Sequence, residues 1–119
     1  MIKIYHNSRC RKSRAGYDLL KAAGYNPEVV EYLKTPLTLA DFNRILSKLN
    51  VPVQNLVRTQ EEYFKKQLKG KKFSEREWIQ ILIENPKLLR RPIIETKLRA
   101  VIGDDAENLE DFIKNLDIP

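Results

Sequence analysis

The amino-acid sequence predicts an α/β domain, of the α+β kind, built on a four-stranded mixed sheet with a long helical insertion. Three features predict it: strand–helix–strand order at the start, helical patterns in the middle, and a strand pair followed by a helix at the end. A chain of 119 residues is long enough for one core but too short for two. We therefore expect residues 1–119 to form a single domain.

The first elements predicted are a strand, a helix and a second strand. IKIY (residues 2–5) alternates apolar and polar side chains, and PEVVEY (27–32) is rich in β-branched residues. Between them, apolar residues recur at helical spacing and Gly24 ends the pattern. The expected buried face of this helix is Ala15, Leu19, Leu20 and Ala22 or Ala23. This order predicts a parallel βαβ unit with a right-handed crossover.

The middle of the chain predicts helices over about residues 37–88. Thr38 with Asp41, and Ser74 with Glu77, have the spacing of capping boxes at two helix starts. The expected apolar face of the first helix is Leu39, Phe42, Ile45, Leu46 and Leu49. VPVQNLVRT and EEYFKKQL, which lie between the two long helices, predict shorter helical segments.

The last elements predicted are an antiparallel strand pair and a closing helix. IIETKLRAVIG predicts two short strands that meet near Glu95–Lys97. AENLEDFIKNL predicts the closing helix. The complete order matches a thioredoxin-like sheet with an enlarged helical insertion.

Composition limits the classes of partner. The net charge of +6 favours anionic ligands, but the cations are spread among acids without interleaved aromatics, so nucleic acid is not expected. No apolar run approaches the roughly 20 residues that span a bilayer, and the polar start is not expected to be a secretory signal. One cysteine fits a reducing compartment, so we expect a cytoplasmic protein.

The only cysteine lies in the most basic segment, YHNSRCRKSRAG (residues 5–16). The predicted elements place Cys10 between the first strand and the first helix, where unpaired N–H groups and the helix dipole favour a thiolate. The neighbouring cations would add whole charges: Arg9, Arg11, Lys12 and Arg14. These features predict a nucleophilic thiolate, against the alternative of a buried, inert cysteine.

Three residues near Cys10 are candidates for shaping its environment. Ser13 completes a C-x-x-S arrangement, and either donates to the thiolate or caps the helix. His6 either tunes the thiol and its loop or packs at the strand end, and Asn7 is expected to brace the loop. One His and one Cys give no metal site, and without a second Cys an oxidised Cys10 needs an external thiol.

With YLKTPLT, LVRT and RRPIIETKLRAVIG, the Cys10 segment resembles the ArsC family of glutaredoxin-coupled arsenate reductases and their Spx-type relatives. The resemblance covers nearly the whole chain and implies a thioredoxin-like fold without a bound cofactor. It implies that Cys10 attacks arsenate, that glutathione joins the adduct as co-substrate, and that glutaredoxin removes the glutathione. It also implies that Arg58 and Arg91 bind the oxyanion and that Pro92 follows a cis peptide bond.

One position departs from the family pattern. Asp104 stands where family reductases usually carry a third arginine, and an acid there repels an oxyanion. Three functions therefore stay open: reduction of arsenate or another small anion, glutathione-dependent reduction of protein mixed disulfides, and an Spx-like regulator that binds RNA polymerase without redox chemistry. Ser13 excludes a regulator switched by an internal disulfide.

Overall fold

A computed structural model describes residues 1–116 and divides the chain into two compact units. The sheet unit contains Met1–Thr35 and the residues from Arg91 onward; the inserted unit is Pro36–Arg90, close to the predicted insertion. That the whole chain behaves as one domain stays a prediction. Within the described residues, no helix has the length and apolar character needed to cross a bilayer.

The sheet has four strands in the order β2-β1-β3-β4. They are β1 (Lys3–Tyr5), β2 (Glu28–Val30), β3 (Ile93–Glu95) and β4 (Ala100–Ile102). Strands β1 and β2 are parallel, while β3 pairs antiparallel with both β1 and β4. The long helices are α1 (Arg11–Ala22), α2 (Leu39–Leu49), α3 (Glu75–Glu84) and α4 (Ala106–Lys114). The predicted four-stranded mixed sheet of thioredoxin-like type is therefore confirmed.

Helices α1 and α4 pack on one face of the sheet. The buried cluster there consists of Ile2, Ile4, Leu20, Ile94, Leu109 and Phe112. The predicted face of α1 was half right: Leu20 is buried in this cluster and Leu19 packs against it, whereas Ala15, Ala22 and Ala23 are exposed. The buried residues of α1 are Ser13, Gly16 and Leu20. Hydrophobic periodicity identified Leu20 but missed Ser13 and Gly16, because these two positions carry small or polar residues.

A buried polar pair joins β1 to β3. Tyr5 is 2% exposed and Glu95 is 3% exposed, and the Tyr5 hydroxyl donates a hydrogen bond to Glu95 Oε1 at 2.6 Å. Side chains alternate along a strand, so Tyr5 points away from the face that carries Ile4. Desolvation of a carboxyl group is costly unless hydrogen bonds compensate, so this bond stabilises the sheet.

Replacing Tyr5 with phenylalanine should lower the free energy of unfolding by about 1–3 kcal/mol, because a buried carboxyl oxygen of Glu95 loses its donor. Urea denaturation measures the change. Tyr63→Phe is the matched control, since Tyr63 is 46% exposed. Equal stability of Tyr5→Phe and wild type would contradict the role given to this pair.

The inserted unit contains α2, α3 and three short helical segments. Both predicted capping boxes are present: Thr38 with Asp41, and Ser74 with Glu77. The short segments are Val53–Leu56, Phe64–Leu68 and Pro86–Leu88. Leu39 was wrongly predicted to be buried and is 45% exposed.

Candidate active site

Cys10 lies at the start of α1, as the sequence predicts. It is the N-cap residue, with extended backbone (φ −94°, ψ 126°), and its side chain is half-buried. Its N–H donates to the Asn7 carbonyl at 2.9 Å, and its carbonyl accepts the N–H of Arg14 at 3.0 Å. The loop between β1 and α1 is thus tied to the backbone on both sides of the thiol.

The environment of Cys10 favours the thiolate. Burial is the largest influence and raises its pKa, but a hydrogen bond from Arg91, the N–H of Ser13, the charge of Arg91 and the N–H of Lys12 act against it. Together they hold the pKa of Cys10 below its ordinary value.

The cation acting on the thiol differs from those that the sequence suggested. Among the main influences that lower the pKa of Cys10, the cationic side chain is Arg91, and the basic neighbour Lys12 acts through its backbone N–H. The guanidinium of Arg14 instead donates to the Ser8 carbonyl at 3.0 Å. Arg91 reaches the thiol from the segment just before β3, next to a cis Arg91–Pro92 peptide bond. The fold therefore supplies the cation from a distant part of the sequence.

Ser13 is fully buried and acts as a junction in the loop. Its Oγ accepts the N–H of Asn7 at 2.9 Å and lies 2.8 Å from Nδ1 of His6. Asn7 Oδ1 accepts the N–H of Arg9 at 3.1 Å, which braces the loop further. Neither predicted role describes the Ser13 hydroxyl, because its bonds go to Asn7 and His6. Ser13 influences the thiolate through its backbone N–H instead.

His6 supports this loop as a largely buried ring. Burial is the main influence on it and, with the charge of Arg14, lowers the pKa of His6, while Glu31, Asp18 and Ser13 raise it less. The net direction keeps the imidazole neutral at neutral pH. A neutral ring with its proton on Nε2 accepts a hydrogen bond from the Ser13 hydroxyl at Nδ1.

Replacing Ser13 with alanine should lower the free energy of unfolding by about 1–3 kcal/mol. The reason is that the partly buried N–H of Asn7 and the buried Nδ1 of His6 both lose their hydrogen-bond partner. Chemical denaturation is the measurement, and Ser8→Ala is the control, because Ser8 is exposed. A Ser13→Ala variant as stable as wild type would show that the junction contributes nothing.

Arg58 belongs to the inserted unit, where it is already paired. Its Nη1 donates to Glu61 Oε2 at 2.5 Å, and its side chain is 19% exposed. Its N–H donates to the Leu88 carbonyl at 2.7 Å, which fixes the backbone. The oxyanion-binding role implied for Arg58 stays a prediction.

Asp104 belongs to the sheet unit and is half-buried just after β4. The residue before it, Gly103, donates its N–H to the Pro92 carbonyl at 2.7 Å. Asp104 therefore directly follows the residue that contacts Pro92. Its neighbour Asp105 is the N-cap residue of α4, and its Oδ1 accepts the N–H of Glu107 at 3.0 Å.

Sequence reasoning missed one residue of this region, Gly16. A Cβ atom placed on Gly16 would lie only 2.8 Å from Pro92 Cγ, so α1 approaches the Pro92 ring directly. The available signal was a glycine inside a helical pattern, which weakens a helix by about 1 kcal/mol relative to alanine and so calls for a packing reason. Within residues 1–116, no group of three His, Cys, Asp or Glu side chains is placed to hold a metal.

The sequence model of the ArsC family matches residues 5–112. The chain is 40% identical over 114 residues to YfgD of Escherichia coli K12, covering 94% of this chain and 96% of that protein. It is 35% identical over 111 residues to the arsenate reductase of Neisseria meningitidis serogroup B, covering 92% and 95%. The solved arsenate reductase of Vibrio cholerae matches with a TM-score of 0.86 and 31% identity, covering 92% of this chain and 95% of that one.

These matches include both the loop that carries Cys10 and the segment that carries Arg91. The likeness to the solved arsenate reductase agrees with the four-stranded mixed sheet. The chain therefore belongs to the ArsC family of thiol oxidoreductases.

Proposed function

We propose that the protein is a glutathione- and glutaredoxin-dependent arsenate reductase whose nucleophile is the Cys10 thiolate. The observation that carries this proposal is the placement of Cys10 at the start of α1 with the Arg91 guanidinium acting on its sulfur. A thiolate attacks while a thiol does not, and a guanidinium suits the oxygens of an oxyanion. Relatives at 31–35% identity that are named arsenate reductase support arsenate as the substrate.

The proposed reaction begins with attack of the Cys10 sulfur on arsenic, which forms an S–As(V) bond as an arsenate oxygen leaves as water. The thiolate of glutathione then attacks the Cys10 sulfur, and the S–As bond breaks with its electron pair going to arsenic. Arsenite, As(III), is released, and the two sulfurs that lost two electrons remain as a Cys10–glutathione disulfide. A thiol of glutaredoxin attacks the glutathione sulfur and returns Cys10 as a thiolate.

An external thiol is required because the chain has a single cysteine. No internal disulfide can form in one chain, so a second sulfur must come from another molecule. Glutathione also carries carboxylates, which suit a protein with a net charge of +6. A reaction that depends on reduced glutathione fits the reducing cytoplasm expected from the sequence.

The roles proposed for the surrounding residues follow their contacts. Arg91 stabilises the thiolate first and then the oxygens of the bound arsenate. Ser13, Asn7 and His6 hold the loop so that Cys10 keeps its place at the helix start. Arg14 ties α1 to the loop through the Ser8 carbonyl.

The experiment that tests the proposed function is arsenate-dependent consumption of NADPH in the presence of glutathione, glutaredoxin and glutathione reductase. We expect turnover that requires arsenate, glutathione and glutaredoxin together. Absence of turnover, with the same glutaredoxin active on a standard mixed disulfide, would overturn the proposal. Mixed-disulfide substrates and RNA polymerase would then be the next candidates.

Replacing Asp104 with arginine should raise kcat/KM for arsenate about tenfold, because the change exchanges a repelling charge for an attracting one beside the Pro92 segment. The same coupled assay measures it. Glu110→Arg is the control for net charge, since Glu110 is exposed on α4. An equal rise in both variants would assign the effect to overall charge, and no rise in Asp104→Arg would show that Asp104 does not oppose arsenate.

A further inference from the structure

The Pro92 ring lies between two glycines of the sheet unit. A Cβ on Gly16 of α1 would stand 2.8 Å from Pro92 Cγ, and one on Gly103 would stand 3.2 Å from the same atom. The 2.8 Å distance at Gly16 is shorter than the contacts that Cβ atoms make in proteins. A methyl group added there would therefore force some part of the structure to move. The ring of proline has few ways to yield, because its atoms are tied to the backbone.

We propose that Gly16 is a positioning residue for the thiol chemistry: its missing Cβ lets α1 pack against Pro92 and so sets the distance between the Cys10 sulfur and the Arg91 guanidinium. Only the catalytic consequence rests on the proposed function. The positioning itself concerns the free protein and is measured without substrate.

The two groups whose distance matters lie on the two sides of this contact. Cys10 caps α1, the helix that carries Gly16, and an α-helix moves nearly as a rigid rod over one or two turns. Arg91 directly precedes Pro92, so a displacement of the ring carries the Arg91 backbone with it. A methyl group at position 16 therefore disturbs the contact between Cys10 and Arg91, whichever side moves.

The backbone conformation of Gly16 offers no other explanation for a glycine. The described glycines with positive φ are Gly24 and Gly70, and Gly16 lies in the regular part of α1. Glycine weakens the interior of a helix relative to alanine, so this position gains nothing in local propensity. The structure explains the glycine by packing instead: a Cβ on Gly16 would lie against Pro92 and 3.5 Å from Leu109 Cδ2.

The test is the pKa of Cys10 in Gly16→Ala, taken from the pH dependence of its alkylation by iodoacetamide. Complete loss of the charge-assisted hydrogen bond to Arg91 would raise the pKa of Cys10 by about 1–2 pH units. Because Gly16→Ala should only weaken this bond, we expect a rise of about 0.5–1 pH unit. The matched control is Ala15→Gly, which alters the propensity of α1 at an exposed neighbouring position. The control should leave the pKa of Cys10 within about 0.2 of wild type.

A Cys10 pKa unchanged in folded Gly16→Ala, or changed equally in Ala15→Gly, would overturn the inference. If Gly16→Ala does not fold, Gly103→Ala provides a second test through the same ring atom, with a smaller rise expected because its contact is 3.2 Å. A third outcome is that the wild type lacks arsenate turnover while Gly16→Ala still raises the pKa of Cys10. That pair of results would support the positioning role of Gly16 and would reject only arsenate as the substrate.

Discussion

Replacement of Cys10 by serine should reduce arsenate-dependent turnover by at least about a thousandfold, the largest effect expected for any substitution. A serine hydroxyl is not ionised at neutral pH, and it can form neither the bond to arsenic nor the disulfide with glutathione. The coupled NADPH assay measures the loss. The fold should survive, because the Cys10 sulfur makes no cap hydrogen bond and α1 keeps its backbone contacts.

The control for this variant is Ser8→Ala, which changes an exposed residue of the same loop and should retain full activity. Circular dichroism and urea denaturation establish that Cys10→Ser is folded. Turnover within tenfold of wild type in a folded Cys10→Ser protein would show that arsenate is reduced without this thiol. The proposed nucleophile would then be wrong, whatever the substrate.

Arg91→Met should have the second-largest effect, about a hundredfold loss in kcat/KM for arsenate. The guanidinium lowers the pKa of Cys10 both by a hydrogen bond and by its charge, so its removal raises that pKa toward the ordinary value. The reactive thiolate is present above the pKa and is lost as pH falls through it. The acid limb of the pH–rate profile should therefore move to higher pH, by about 1–2 pH units.

Arg9→Met is the matched control, because Arg9 is an exposed cation adjacent to Cys10 in sequence. If the cations of the basic segment govern the thiolate, Arg9→Met should move the acid limb and Arg91→Met should not. The structure predicts the reverse. The pair of variants thus separates the explanation suggested by the sequence from the one given by the fold.

The secondary structure was predictable wherever local chemistry decides it. The capping boxes at Thr38 and Ser74 identified two helix starts, and both were confirmed. The alternation in IKIY and the β-branched PEVVEY identified β1 and β2, which pair in parallel as expected. These signals work because each depends on residues only a few positions apart.

The surroundings of Cys10 were less predictable, because they depend on contacts between distant segments. Nothing near Cys10 in sequence indicates that Arg91 acts on its sulfur; only the pairing of β1 with β3 brings that region close. The buried face of α1 was missed for a related reason, since Gly16 and Ser13 are buried for packing and hydrogen bonding rather than for hydrophobicity. The resemblance to the ArsC family did point to Arg91, which residue patterns alone did not.

In the proposed reaction, Cys10 carries the chemistry through a disulfide with glutathione. Intact-protein mass spectrometry on samples quenched with acid during turnover tests it most directly. With arsenate and glutathione but no glutaredoxin, we predict one glutathione per chain, located on Cys10 by peptide mapping and absent when arsenate is omitted. Formation of arsenite while Cys10 stays unmodified would contradict the claim.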